Sequence, residues 1–117
     1  MDIANFLDRP FQLEAVHGGE GLCRNCRVVG EEAFDTPLRF IYYTTLPPGA
    51  SFGAHKHGDD NEVYLLLAGD GRYTMNGETA QVKAGDVLVN RPFATHSLCN
   101  TGEGPMRVLV FEVYNPQ

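Results

Sequence analysis

An all-β domain, closed as a barrel or as a double-sheet jelly roll, is the fold that this 117-residue sequence predicts. Three observations carry that expectation. Short runs of β-branched, aromatic and aliphatic residues recur at close, regular intervals as far as Tyr114. Thirteen glycines and seven prolines are spread along the chain rather than clustered, as expected for many tight turns. After Val16 no stretch reads as a helix of useful length. The length suits one domain, and 43% hydrophobic residues supply a core for it. Residues 1–21 read as an N-terminal arm and loop, and residues 22–117 as a single barrel domain.

Taken in order, residues 1–16 hold Phe6, Leu7, Phe11, Leu13 and Val16, but Pro10 forbids one continuous helix. A short helical turn followed by an extended arm is expected there. Gly18, Gly19 and Gly21 form a loop, and Leu22 to Val29 is a first strand. Leu38 to Leu46 (LRFIYYTTL) is strongly strand-forming and stops at Pro47-Pro48-Gly49. Ser51 to His57 and Glu62 to Ala68 follow as a hairpin around Gly58-Asp59-Asp60-Asn61. Arg72 to Met75 and Glu78 to Lys83 flank Asn76-Gly77, the strongest short hairpin signal. Asp86 to Asn90, Thr95 to Cys99 and the apolar Met106 to Tyr114 complete the set.

Charge narrows the partners. The formal net charge is −6, which gives no basic surface for nucleic-acid phosphates or anionic membranes. No cationic and apolar leader and no long apolar span is visible, so a cytoplasmic location is expected. Cys23, Cys26 and Cys99 make an odd count, consistent with free thiols. The Cys23–Cys26 spacing lacks the second pair of a zinc ribbon and runs into a strand, whereas a thioredoxin-like motif would open a helix.

Chemistry concentrates between Gly49 and Gly69. His55, His57 and Glu62 fall within eight residues. On an extended strand two histidines one residue apart share a face, and the hairpin would return Glu62 to that face opposite His57. Two imidazoles and a carboxylate converging on one point suit a borderline transition metal. Ordinary surface or core histidines remain the competing reading of these residues alone. His96 lies on a later strand, where Leu98 and Asn100 share its face and Cys99 points away, so parity argues against Cys99 as a ligand. Nothing in the sequence by itself brings His96 to His57.

The spacing of Gly49, His55, His57, Glu62 and Gly69 resembles the first cupin motif, and Gly85, His96 and Asn100 resemble the second. Fifteen residues separate Gly69 from Gly85, the short intermotif form of compact single-domain cupins, and the similarity covers Leu38 to Tyr114. The resemblance implies a cupin double-stranded β-helix, a jelly-roll barrel, with one divalent transition metal (manganese, iron, nickel, zinc or copper). Carried over, the ligands are His55, His57, Glu62 and His96. It also implies a homodimer, to which the apolar arm could cross if it does not fold back on its own barrel. Two positions depart from the pattern: Arg91 stands at the family's usual proline and Phe93 at its usual glycine. They put the loop over the site mouth in question, and Phe93 is a candidate roof for the pocket.

Four protein ligands on a five- or six-coordinate ion leave room for water or substrate, whereas four-coordinate zinc would close the site. The wall candidates are Tyr64 and Leu66, on the face of Glu62, and either Phe40, Tyr42 and Thr44 or Ile41, Tyr43 and Thr45. Tyr42, Tyr64 and Arg91 are the candidate catalytic residues, set against plain packing of the tyrosines and solvation of the arginine. Arg39, Arg72 and Arg107 are further candidate anion anchors. The motifs look like those of cupin isomerases, dioxygenases, decarboxylases and lyases. A small metalloenzyme acting on a sugar, sugar phosphate or carboxylic acid is therefore expected, with a non-catalytic, metal-dependent binding or sensory cupin as the alternative and a storage role behind both.

Overall fold

The computed structural model describes residues 1–116, and among them the chain forms ten strands in two antiparallel sheets. In chain order these are β1 (Gln12–Glu14), β2 (Cys23–Val29), β3 (Leu38–Leu46), β4 (Ser51–Lys56), β5 (Asp60–Ala68), β6 (Asp70–Met75), β7 (Glu78–Lys83), β8 (Val87–Asn90), β9 (Thr95–Asn100) and β10 (Met106–Tyr114). One sheet has the order β1-β2-β3-β10-β5-β8 and the other β4-β9-β6-β7. Single 3₁₀ turns at Val16–Gly18 and Glu31–Ala33 are the only helical elements among the described residues, and no helix is long and apolar enough to cross a membrane. The arrangement is the expected jelly roll.

Alternation explains the core. On β5, Glu62, Tyr64 and Leu66 are buried, and on β9 so are His96, Leu98 and Asn100, while the residues between them are more open. Leu46, Phe52, Leu98, Met106 and Val108 close the interior between the two sheets. Each such side chain contributes about 1.5–3 kcal/mol by leaving water. Asn100 is buried but fully bonded: its amide donates to the carbonyls of Leu46 (2.8 Å) and Gly104 (2.9 Å), and its oxygen accepts from Gly102 N (2.9 Å). It thereby ties the loop before β10 to the end of β3. Asn76 and Gly77 both take positive φ, 49° and 84°, as a two-residue hairpin between β6 and β7 requires.

One expectation is corrected. Ser51–Lys56 and Asp60–Ala68 do not form a hairpin: β4 pairs with β9, whereas β5 pairs with β10 and β8 in the opposite sheet. Residues 57–59 carry the chain across the sandwich, and His57 N bonds to Ala94 O (2.9 Å) instead of continuing a two-stranded ladder. Strand β4 also carries a bulge between Phe52 and His55. The extra residue lets both of these side chains face inward although they are three positions apart.

The N-terminal stretch lies back on its own barrel. The Phe6 ring packs on Tyr43 on the outer face of the larger sheet (centroids 4.6 Å apart), and β1 pairs with β2. Cys23 and Cys26 face opposite sides of β2, Cys23 in the core and Cys26 beneath the arm. All three cysteines are free, and burial raises the Cys23 thiol to about 11. The outer face of the larger sheet is unusual for a solvated antiparallel sheet, since Leu67, Val87, Val89 and Val113 are 40–57% exposed there.

Candidate metal centre

Four side chains meet between the sheets. His55 comes from β4, His57 from the crossing segment just after it, His96 from β9 and Glu62 from β5 of the facing sheet. His55 and His96 are direct cross-strand partners. One ligand atom from each of the four lies within 4.8 Å of all the others, and this group could hold a metal ion. Nε2 of His57 and Nε2 of His96 stand 3.3 and 3.6 Å from the same Glu62 oxygen. Ligand atoms each about 2.1 Å from one ion and at right angles to it are separated by roughly 3 Å, so the cluster is close to the size a transition metal requires.

The donor atoms also pass a chemical test. Nε2 of His55, His57 and His96 and Oε1 of Glu62 are all buried without a hydrogen-bond partner. Unpartnered polar atoms in a dry interior are costly, and four of them facing one point are what a cation satisfies. The opposite ring nitrogens orient two of the imidazoles. His55 Nδ1 donates to Gly53 O (2.9 Å), and His57 Nδ1 donates to Asp60 Oδ2 (2.9 Å), which leaves Nε2 of each toward the centre.

Electrostatics divide the histidines. The Glu62 carboxylate, together with Asp60, raises the His57 imidazole to about 9, against the opposing effect of burial. Burial, helped by His55 and His57, lowers His96 to about 3. Metal-free protein near neutrality therefore holds one proton on His57, between two carboxylates, and keeps His96 neutral. Glu112, opposite Glu62 on the neighbouring strand, is raised to about 7 by burial and by Asp60 and Glu62.

The cluster forms the floor of an open cavity of about 790 Å³. Of the two parity sets on β3, Phe40, Tyr42 and Thr44 form its wall, and Tyr43 faces outward. A polar chain runs along that wall, with Thr44 Oγ1 donating to Asn25 Oδ1 and Asn25 Nδ2 to Glu14 Oε1, each at 2.6 Å. Tyr64 is 1% exposed beside His96 and edge-on to Phe52, and burial pushes its hydroxyl well above the ordinary tyrosine range.

Arg91 and Phe93 fall outside this cavity. Arg91 is exposed, and Arg39, bonded to Glu112 at 3.3 Å, is the arginine of the cavity wall among the described residues. Phe93 is 59% exposed and roofs nothing, because its backbone takes φ 63° and its N–H is bound to Gly58 O (2.9 Å). Glycine adopts that left-handed conformation without steric cost, whereas phenylalanine does not.

Two residues that touch the converging histidines directly are absent from the sequence reading. Asp60 looked like turn chemistry, yet it begins β5 on the face of Glu62 and Tyr64 and is 6% exposed. Extending the strand parity by two residues would have found it. His17 stacks on His55 and lines the cavity, and no periodicity marks it. Replacing Asp60 with alanine is expected to weaken metal binding by about 10–100-fold, the usual effect of losing a carboxylate behind a ligating histidine. Titration with Co²⁺ would measure it, and unchanged affinity would remove Asp60 from the site.

Architecture and ligand cluster together define a cupin. A cupin domain model matches residues 42–112, and the chain belongs to that family. Among individual proteins, it is 34% identical over 100 residues to the oxalate-binding protein of Thermotoga maritima, covering 86% of this chain and 83% of that one. The crystal structure of a predicted oxalate decarboxylase from Thermotoga maritima superposes with a TM-score of 0.93 at 29% identity, covering 97% of this chain and 100% of the other. The cupin domain of Cnp3 from Schizosaccharomyces pombe shares the fold at a TM-score of 0.78 and 14% identity, over 95% of this chain and 72% of that one.

Proposed function

We propose that this cupin holds one divalent transition metal on His55, His57, Glu62 and His96 and uses the open side of that centre to bind a small carboxylate of the oxalate type. The observation carrying it is the set of four buried, unpartnered donor atoms on the floor of a solvent-connected cavity. When bound, the ion supplies positive charge and one or two positions that the protein leaves free. Of the substrate classes that the motifs allow, a carboxylic acid is favoured by the similarity to an oxalate-binding protein. The cavity lining favours dependence on the ion: Glu14, Asp59, Asp60, Glu62 and Glu112 outnumber Arg39, Lys56 and the protonated His57 there, so the protein alone repels a dianion.

Calorimetry with oxalate on protein loaded separately with Mn²⁺, Co²⁺, Ni²⁺ and Zn²⁺ tests this. Saturable binding at one oxalate per chain, abolished by a chelator, is expected. Absence of binding to every loaded form, or equal binding to metal-free protein, would sink the reading. Turnover is a second reading, supported by the similarity to a structure described as a predicted oxalate decarboxylase. Its balanced step is oxalate plus one proton giving formate and carbon dioxide, and formate release under the same conditions separates a lyase from a binder.

We further infer that a second copy of the chain covers the outer face of the larger sheet, forming a homodimer. Three adjacent strands there, β10, β5 and β8, carry Val63, Leu65, Leu67, Val87, Val89, Leu109 and Phe111 outward. A face three strands wide and seven residues long spans roughly 14 by 23 Å. The apolar arm beside it adds Leu7 and Phe11, 68% and 45% exposed, to that surface. Light scattering should give twice the chain mass, reverting toward one chain mass in a Leu67→Lys, Val89→Lys variant; a monomeric wild type would refute it.

A further inference from the structure

His17 is not one of the four converging side chains, yet the fold fixes it over one of them. Its imidazole lies nearly parallel to that of His55, with ring centroids 3.5 Å apart and 15° between the planes. Placing it there requires an unusual backbone. His17 sits in the Val16–Gly18 turn at φ 51° and ψ 35°, a left-handed conformation that a residue with a Cβ adopts only at an energetic cost.

The surroundings hold that conformation. Ser51 N donates to Glu20 O and Glu20 N donates to Ser51 Oγ, both at 2.9 Å, so the end of the turn is stitched to the start of β4. Two glycines let the backbones touch: a Cβ at Gly19 would run into the Ser51 carbonyl, and one at Gly53 would run into the His17 carbonyl. The carbonyl of Gly53 also receives the Nδ1 proton of His55. The turn carrying His17 and the strand carrying His55 are therefore one rigid unit.

His55 is the ligand that most needs such support. His96 is 1% and Glu62 is 6% exposed, whereas His55 and His57 are only half-buried. The one ring hydrogen bond of His57 goes to the Asp60 carboxylate, while that of His55 goes to the uncharged, weaker carbonyl acceptor of Gly53. Rotation about its last side-chain torsion is broad unless packing restricts it.

We propose that His17 is a positioning residue for the metal centre, its ring face clamping the His55 imidazole in the plane that presents Nε2 to the ion. The role rests on the metal reading above and requires no proton transfer and no ligation by His17 itself. It predicts that the ring matters and its nitrogens do not.

The test uses Co²⁺ alone as the probe, followed by its visible absorption, on the full chain and two variants. His17→Asn removes the ring while tolerating the left-handed backbone. His17→Phe keeps an aromatic face, in a conformation this chain already accepts at Phe93. His17→Asn should bind Co²⁺ about tenfold more weakly and lose it to a chelator about tenfold faster, while His17→Phe should stay within about twofold of wild type. Melting of the metal-free forms reports that both variants are folded. An Asn variant that matches wild type overturns the proposal, and so does a Phe variant as weak as the Asn variant, which would show that a ring nitrogen acts instead. Wild-type protein that takes up no Co²⁺ overturns the metal reading and this one together.

Discussion

Replacing His96 with alanine is expected to lower the affinity for a divalent transition ion by about a hundredfold or more while the barrel stays folded. Four-ligand protein sites bind zinc with apparent free energies of about 10–16 kcal/mol, so one ligand in four accounts for about 3 kcal/mol, or a factor above a hundred. His96 is the informative position because it lies deep in the core opposite His55 and belongs to a strand remote in sequence from the other three. Its neutral imidazole leaves no buried charge behind when removed, since burial holds it near 3. The variant therefore tests the assembly of the site across the sheet. Competition titration against a chelator measures the loss, with circular dichroism as the control for folding. A folded His96→Ala protein with wild-type affinity would show that the four side chains do not act as one site.

The second large effect is a dependence of metal affinity on pH. In metal-free protein the His57 imidazole holds its proton up to about 9, and that proton must leave before Nε2 can bind an ion. Affinity is therefore expected to rise about tenfold per pH unit between about 6.5 and 9 and then to level off, at ~1.4 kcal/mol per unit. At pH 7 the penalty is about two units, or a hundredfold. His96 adds nothing to this slope, because it is already neutral. For stability the sign is opposite. The folded value of His57 lies above that of the unfolded chain, so its proton stabilises metal-free protein fully below about pH 6.5, and that contribution is lost as pH rises toward 9. Heating should thus show the gap between metal-loaded and metal-free melting temperatures widening with pH. Calorimetry in two buffers of different ionisation enthalpy should count about one proton released per ion, and a pH-independent affinity would place the proton elsewhere.

Much of the fold was legible because turn chemistry and side-chain alternation are local. Asn76-Gly77, Pro47-Pro48-Gly49 and the LRFIYYTTL run mark their elements without help from distant contacts, and the strand ends agree to within a residue or two at nearly every position. The loop before His96 was harder. Phe93 adopts a glycine-like conformation that its own preferences oppose, in a loop held by its N–H on Gly58 O, by Ala94 N on Arg91 O and by His57 N on Ala94 O.

For the centre, the sequence alone put His55, His57 and Glu62 on one face by strand parity, and it left open which of the two parity sets on Leu38 to Leu46 joins them. The tertiary structure decided how those three meet. Glu62 arrives from the opposite sheet rather than from a hairpin with His57. The convergence survived that error for a geometric reason: the inner faces of two packed sheets look onto the same interior, so strand parity predicts a shared space whether two strands are neighbours or face each other. What parity cannot encode is distance between elements remote in the chain. The approach of His96, the hydrogen bond from His57 to Asp60 and the stacking of His17 on His55 all depend on how the sheets and the N-terminal turn pack, and only the folded chain brings those residues together.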